Sequence, residues 1–231
     1  MAEKAEKVEK LAKHVVYCTP LYESVPVASF TSFIVALSSS FKLFEKFGFS
    51  SVRGTYLQIA RRKIAEDVLE RNKKEPVDFL LWVDSDSVFT VEDIAKLFLT
   101  QKKTKADLVS GFYVTKRPPI VPVCYKQTKD GFVTPSEVPF NAVFEVDAAG
   151  FGFLLMKFSA LKKVTEKYGL NKAFQVVDPE TGEDLGEDLV FCKLAKKEGL
   201  KIVVNSGIQI GHAGSTITPE QFFATQKKKT N

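Results

Sequence analysis

Apolar and polar positions in the first half of the chain follow two alternating periods, which predicts strands separated by helices. The apolar stretch HVVYCTP is typical of a buried strand that Pro20 ends. From Phe30 to Phe44, apolar residues recur every three or four positions, which predicts a helix with a wide apolar face. Residues 56–71 form a second amphipathic helical pattern, and the apolar stretch VDFLLWV after it predicts another strand.

The second half of the chain is richer in strand patterns and is interrupted by turns. Thr90 is typical of the N-cap of a helix with the sequence VEDIAKLFLT. Residues 116–146 are rich in Pro and short apolar runs, which predicts a hairpin-like excursion. A helix closed by Gly199 then precedes a last long strand, LKIVVNSGIQIGH. This order predicts an α/β fold in which helices flank a mixed, mostly parallel central sheet.

The composition supports one substantial hydrophobic core. The chain has 231 residues, of which 45% are hydrophobic and 20 are Phe. No linker or composition shift divides it, so we expect a single domain over 1–231, with a charged lead-in at 1–13 and a basic tail at 227–231.

Cysteine usage and charge narrow the class of protein. The three cysteines are far apart and form no CxxC pair, which argues against a zinc site or a disulfide framework. There is no signal-peptide pattern and no apolar run of about 18 residues, so we expect a cytoplasmic protein. The net charge of +5 suits anionic ligands. It predicts no nucleic-acid partner, and the terminal lysines predict at most peripheral membrane contact.

Two aspartates follow the strand VDFLLWV, separated by one serine. On an extended chain Asp84 and Asp86 leave the same face, with their Cα atoms about 7 Å apart. They stand at the carboxyl end of the strand, where ligands bind in open α/β sheets. Such a pair is suited to holding Mg²⁺ or Mn²⁺ together with a substrate diphosphate. The alternative is an Asp-rich turn that caps the next helix, but the strand context favours the metal.

Other interpretations of this motif are open or excluded. An EF-hand is excluded because its loop would require Gly at Phe89 and Glu at Ala95. DSDSV also resembles the motif of haloacid-dehalogenase-like phosphatases, with Asp84 as nucleophile and Asp184 and Asp188 as a later DxxxD. That motif normally stands on the first strand of the core, whereas here a strand and two helices precede it. A nucleotide-binding module without turnover is a third possibility.

A second group of candidate residues lies near the end of the chain. Glu187 and Asp188 open a predicted helix, where a carboxylate either caps the helix or acts as a general base that deprotonates an acceptor hydroxyl. His212 ends the last apolar strand, and its neutral imidazole there can complete a metal site.

The order of these motifs resembles that of a known family. CTP, IARR, LLWVDSDSVFT, DLVSGFYVTKRPPIVP, AAGFGFLLMK, GEDLVFCKLAKKEG and IGHAG follow one another between residues 14 and 214. This arrangement resembles GT-A-fold glycosyltransferases, in particular the compact, single-domain, family-two-like type of bacteria and viruses. The resemblance implies transfer of a sugar from a UDP- or GDP-linked donor to a hydroxyl of a glycan, lipid or protein acceptor.

The resemblance also implies roles for individual residues. Asp84, Asp86 and His212 would bind Mn²⁺ or Mg²⁺, with Asp86 as the more direct ligand. Asp188, with Glu187 beside it, would be the base of an inverting transfer, although a related retaining group has similar metal residues.

Further residues are implied to bind the two substrates. Arg61 would lie near the base or diphosphate, in a motif that often continues with Asn where this chain has Arg62. The residues implied to contact the donor are Thr19, Pro20, Arg61, Ser85, Gly150, Phe151 and Gly152. The segment TKRPPIVP reads as a rigid extended connection. Its alternative interpretation places Tyr113, Lys116 and Arg117 beside the acceptor cleft.

Overall fold

The chain folds into an α/β structure with one large sheet and two small ones. The computed structural model describes residues 9–214 and 218–227, with side chains up to residue 224. Most of the predicted lead-in and all but the first residue of the predicted basic tail therefore lie outside the described residues. The strands are β1 Ala12–Leu21, β2 Phe44–Arg53, β3 Phe79–Val83, β4 Ser87–Val88, β5 Leu108–Phe112, β6 Cys124–Thr128, β7 Gly131–Val133, β8 Val143–Glu145, β9 Ala148–Ala149, β10 Phe153–Lys157, β11 Ile202–Gln209 and β12 Gly211–His212. The helices are α1 Val27–Leu43, α2 Leu57–Lys74, α3 Val91–Thr104, α4 Phe158–Tyr168, α5 Leu170–Ala173, α6 Glu187–Lys197 and α7 Pro219–Lys227.

The large sheet has the strand order β2-β1-β3-β10-β5-β11-β8. Strand β1 pairs in parallel with β2 and β3, and β5 pairs in parallel with β11. Strand β10 runs antiparallel between β3 and β5, and β8 is antiparallel to β11. The predicted α/β fold, with a mixed, mostly parallel central sheet flanked by helices, is therefore confirmed.

The central strands are continuously apolar because helices cover both faces of the sheet. Along β1, Val15 and Tyr17 point into one core cluster, which includes residues of α1 and α3. Val16 and Cys18 point into the other cluster, which includes residues of α2, α4 and α6. Successive side chains of a strand leave opposite faces, so one short apolar run supplies both cores.

Two smaller predictions about local structure are also confirmed. Thr90 opens α3 with a capping box, in which its hydroxyl accepts a hydrogen bond from the Asp93 N–H and the Asp93 carboxylate accepts one from the Thr90 N–H. Within residues 116–146, strands β6 and β7 pair as an antiparallel hairpin.

The prediction for residues 30–44 was wrong in two respects. Helix α1 ends at Leu43, and Phe44 begins strand β2, which the sequence pattern did not reveal. The predicted apolar face is buried only in part: Phe33 is 7% exposed and Phe44 1% exposed, whereas Phe30 is 56% exposed and Phe41 73% exposed. The helix instead packs on the sheet through a narrow stripe that consists of Ser29, Phe33, Ala36 and Ser40.

The sheet brings the candidate residues to one edge. Strands β1 and β3 run in parallel, so their carboxyl ends lie side by side. Pro20, the second-last residue of β1, and Asp84, just after β3, therefore line the same cleft. Strand β12 pairs with β4, which places His212 opposite Ser87. In the described part of the chain, no helix is both long and apolar enough to cross a membrane.

The packing of α1 yields a prediction about stability. Phe33 is 7% exposed and makes an edge contact with Phe89, with ring centroids 5.4 Å apart. We expect Phe33→Ala to lower the free energy of unfolding by roughly 3–5 kcal/mol, because it leaves a cavity in the core. Phe30→Ala removes the same atoms from the exposed side of the same helix and should cost less than about 1 kcal/mol. Urea unfolding measures the free energy of unfolding of both variants. Equal losses would contradict the burial of Phe33 and the exposure of Phe30.

Candidate functional site

A cleft opens at the carboxyl ends of β1 and β3. Its volume is about 660 Å³, which lies within the usual range for small-molecule sites. Its walls are residues 20–23 at the end of β1, residues 54–57 at the start of α2, Ala60 of α2, and the three residues Asp84, Ser85 and Asp86. Of the predicted donor-binding residues, Pro20 and Ser85 line this cleft, whereas Thr19 is fully buried behind it.

Arg61 of α2 connects two of the candidate carboxylates. Its Nη2 donates a hydrogen bond to Asp84 Oδ1 and its Nε donates one to Glu187 Oε1, each at 2.8 Å. The side chain is 1% exposed, and its guanidinium carbon lies 5.5 Å from the ring centroids of both Trp82 and Phe151. Burial lowers the pKa of Arg61, but the charges of Asp84 and Glu187 outweigh it and raise the pKa above its usual value. The guanidinium therefore remains charged.

This geometry corrects the role predicted for Arg61. The residue does not line the cleft, and two of its nitrogens already bind carboxylates. Its third nitrogen, Nη1, is buried and has no hydrogen-bond partner among the described residues. Arg62 points elsewhere, since its Nη1 donates to Asn171 Oδ1 at 2.7 Å. Arg61 instead holds the end of β3 against the start of α6.

Asp86 is paired with a different cation. Its carboxylate accepts a hydrogen bond from the ammonium of Lys116, and both side chains are partly exposed, 25% for Asp86 and 39% for Lys116. The backbone carbonyl of Asp86 accepts a hydrogen bond from the Ala213 N–H at 2.8 Å. This bond joins the turn at residues 84–87 to the segment after β12.

His212 lies at the same edge in a defined tautomer. Its Nδ1 is 3.1 Å from the Val114 carbonyl oxygen, which can only accept, so Nδ1 carries the proton and Nε2 keeps a free lone pair. Burial lowers the pKa of His212, and the nearby charges of Asp86 and Asp84 oppose that shift only in part. A lowered pKa favours the neutral imidazole, which is the form that ligates metal ions.

The two predicted base residues open α6. The N-cap of this helix is Gly186, which has no side chain to cap it, and Asp188 Oδ1 accepts a hydrogen bond from the Leu189 N–H in the first turn at 2.9 Å, so Asp188 does help to satisfy the start of the helix. Glu187 is 5% exposed and binds Arg61. Asp188 is half-buried, and burial, followed by the charge of Glu187, raises the pKa of Asp188 to about 7. Asp188 therefore has the pKa that suits a proton acceptor near neutral pH.

The charges of this site do not balance. Four carboxyl groups, those of Asp84, Asp86, Glu187 and Asp188, meet two cations, Arg61 and Lys116, which leaves a formal charge of −1 when Asp188 is protonated and −2 when it is ionised. Uncompensated negative charge in a partly buried site favours a bound cation. The donor set of carboxylate oxygens and one free imidazole nitrogen fits Mn²⁺ or Mg²⁺. Among the described residues, no three His, Cys, Asp or Glu side chains converge closely enough to form a ready-made metal site.

The predicted sugar pocket at Gly150, Phe151 and Gly152 is occupied by the protein itself. A Cβ on Gly150 would lie 2.2 Å from the Tyr113 hydroxyl oxygen, and one on Gly152 would lie 3.0 Å from it. The Gly152 N–H donates a hydrogen bond to that hydroxyl at 2.9 Å. The glycines do permit close approach, but the group that approaches is the Tyr113 phenol. Phe151 is fully buried against Trp82 and Phe191.

The acceptor residues predicted from TKRPPIVP also need correction. Tyr113 is 5% exposed and makes an edge contact with the His212 ring, so it positions other side chains and does not face the cleft. Arg117 is exposed at the tip of its loop. Sequence reasoning missed Tyr22 and Tyr56, exposed aromatic residues in the cleft walls, because they stand in loops with no distinguishing pattern.

Comparison with known proteins identifies the fold alone. No protein-family model and no curated protein matches the chain. Among solved structures, the chain is similar to A197 from STIV, with a TM-score of 0.59 and 19% sequence identity. The match covers 90% of this chain and 91% of that one, so the two share their overall α/β fold over nearly their whole lengths.

Proposed function

We propose that this protein is a metal-dependent glycosyltransferase of the GT-A fold that moves a sugar from a UDP- or GDP-linked donor to an acceptor hydroxyl. The observation that carries the proposal is the unbalanced carboxylate cluster, of which Asp84 and Asp86 line the cleft, while Glu187 and Asp188 stand at the adjacent start of α6. A nucleoside diphosphate is an anion, so it needs a cation to bind beside these carboxylates. The order and spacing of the sequence motifs support the same assignment.

In the proposed mechanism, Asp86, Asp84 and His212 hold the divalent cation. Asp86 would be the most direct ligand, because its carboxylate lines the cleft beside a partly exposed lysine, whereas that of Asp84 is bound to the buried Arg61. When bound, Mn²⁺ or Mg²⁺ would neutralise the charge that develops on the departing nucleoside diphosphate. The cleft walls at Pro20, Tyr22 and Tyr56 would receive the nucleotide.

Asp188 is proposed to accept the proton of the acceptor hydroxyl. Glu187 cannot take this role, since it is buried and bound to Arg61. Its carboxylate, after burial, is the second cause that raises the pKa of Asp188. The proton would pass from the hydroxyl to an Asp188 oxygen while the acceptor oxygen attacks the anomeric carbon from the face opposite the diphosphate.

The phosphatase alternative has less support. It requires Asp84 as a nucleophile, but an Asp84 oxygen is bound to the buried Arg61. Asp184, the first residue of its later DxxxD, is exposed in the loop before α6, where its backbone forms a β-bridge with that of Val177.

Ligand-dependent melting tests the proposed function. In the presence of Mn²⁺, UDP or GDP at about 100 times the Kd of the nucleotide should raise the Tm by roughly 5–10 °C. The nucleotide alone or Mn²⁺ alone should raise the Tm less. Asp86→Asn should remove the metal-dependent part of this shift. Asp184→Asn, which alters an exposed carboxylate outside the cleft, is the matched control and should behave as wild type. The proposal fails if nucleotides give no metal-dependent shift. Stabilisation by Mg²⁺ and beryllofluoride without nucleotide would favour the phosphatase.

The pKa of Asp188 predicts how stability depends on pH. Folded Asp188 has a pKa near 7, above its ordinary value of 3.8, so between these values the folded chain binds a proton that the unfolded chain has released. This carboxyl therefore makes the wild type less stable as pH rises from about 4 to about 7. Asp188→Asn lacks the effect, so its stability relative to wild type should increase between pH 5 and pH 8 in urea unfolding. A difference that stays constant with pH would show that Asp188 titrates normally.

A further inference from the structure

Lys116 binds the carboxylate that the proposed function assigns to the metal. Its ammonium contacts Asp86 Oδ2 at the mouth of the cleft. The other cation of the cluster, Arg61, is buried and bound to two carboxylates, whereas Lys116 is 39% exposed and has one carboxylate partner in the described part of the chain. The site therefore holds one permanent cation and one that is free to move.

A closed turn presents Lys116 to Asp86. The Thr115 N–H donates to the Val121 carbonyl at 3.0 Å, and the Val121 N–H donates to Thr115 Oγ1 at 3.1 Å. Thr115 Oγ1 in turn donates to the Pro119 carbonyl at 2.7 Å. The backbone at Lys116 is thus held in place, while its four-carbon side chain keeps its rotational freedom.

The same segment organises the neighbouring groups. The Tyr113 hydroxyl accepts from Gly152, and the Val114 carbonyl fixes the tautomer of His212. Residues 113–116 thereby contact three neighbouring groups in succession: Gly152 directly before β10, the imidazole of His212, and the carboxylate of Asp86. An ammonium at the end of this segment is placed where a cation would bind.

We propose that Lys116 is an internal competitor of the divalent cation at Asp86. This inference rests on the proposed function, because it concerns the cation site assigned there. Without metal, the Lys116 ammonium compensates Asp86 and limits repulsion among the carboxylates. A divalent cation and an ammonium repel each other at one carboxylate, so binding of the cation would displace the Lys116 ammonium from Asp86. Lys116 therefore sets the cation concentration at which the site fills.

Mn²⁺ affinity, measured without nucleotide, tests this proposal. Electron paramagnetic resonance of free Mn²⁺ gives the Kd for the full chain and for Lys116→Met, Lys116→Arg and Arg117→Met. We expect Lys116→Met to bind Mn²⁺ about tenfold more tightly, with the gain reduced in high salt because the pair is partly exposed. Lys116→Arg keeps the charge and should remain close to wild type.

Arg117→Met is the matched control, since it removes one positive charge from the adjacent, exposed position. Its Kd should stay within about twofold of wild type, because screening weakens the effect of a charge without a contact. Adding Asp86→Asn to Lys116→Met should abolish the gain. The proposal is overturned if Lys116→Met binds Mn²⁺ no more tightly than Arg117→Met, or does not bind it. If Lys116→Met binds Mn²⁺ more tightly but no nucleoside diphosphate stabilises the protein, the proposed competition at Asp86 is upheld and the proposed glycosyltransferase function is rejected.

Discussion

The site depends on one buried cation, the Arg61 guanidinium. A charge removed from water costs several kcal/mol unless it is paired, and Arg61 meets this cost through Asp84, Glu187 and two aromatic faces. The two hydrogen bonds join the carboxyl end of β3 to the first residue of α6, which are more than a hundred positions apart in the chain. The distance between the proposed cation site and the proposed base is therefore set by a contact that cannot rearrange cheaply.

Arg61, Asp84 and Glu187 hold one another in place, whereas the other two carboxyl groups of the site, those of Asp86 and Asp188, respond to their surroundings. Asp86 has a partly exposed partner, and Asp188 has a pKa near neutrality because it is half-buried beside Glu187. We call Arg61, Asp84 and Glu187 the inner layer of the site, and Asp86, Lys116 and Asp188 its outer layer. A fixed inner layer and a responsive outer layer suit the proposed transfer, in which a cation, a diphosphate and a proton must each arrive and leave. Tyr113 links the layers, because it fills the space at Gly150 and Gly152 and also packs against His212.

Local pattern was sufficient to predict what depends on neighbouring residues. The apolar run before Asp84 and the helix that begins at Glu187 were recognisable from periodicity, and the parallel strands then bring their ends to one edge. Pattern could not reveal that Arg61 is buried, since this follows from pairing with Glu187, 126 positions away. It also misassigned Gly150 and Gly152, because small residues look alike whether a ligand or a tyrosine fills the space they leave. Strand β2 escaped detection because it is an edge strand with few buried residues.

Anomalous scattering from crystals grown with Mn²⁺ and UDP or GDP would test the central claim most directly. We predict a single strong manganese peak about 2.1 Å from an Asp86 oxygen, close to Asp84 and His212 Nε2. In the same map, Lys116 should have left Asp86, and Arg61 should still bridge Asp84 and Glu187. A manganese peak elsewhere, for example in the acidic loop around Asp178, or nucleotide bound in the cleft without manganese at Asp86, would contradict the account.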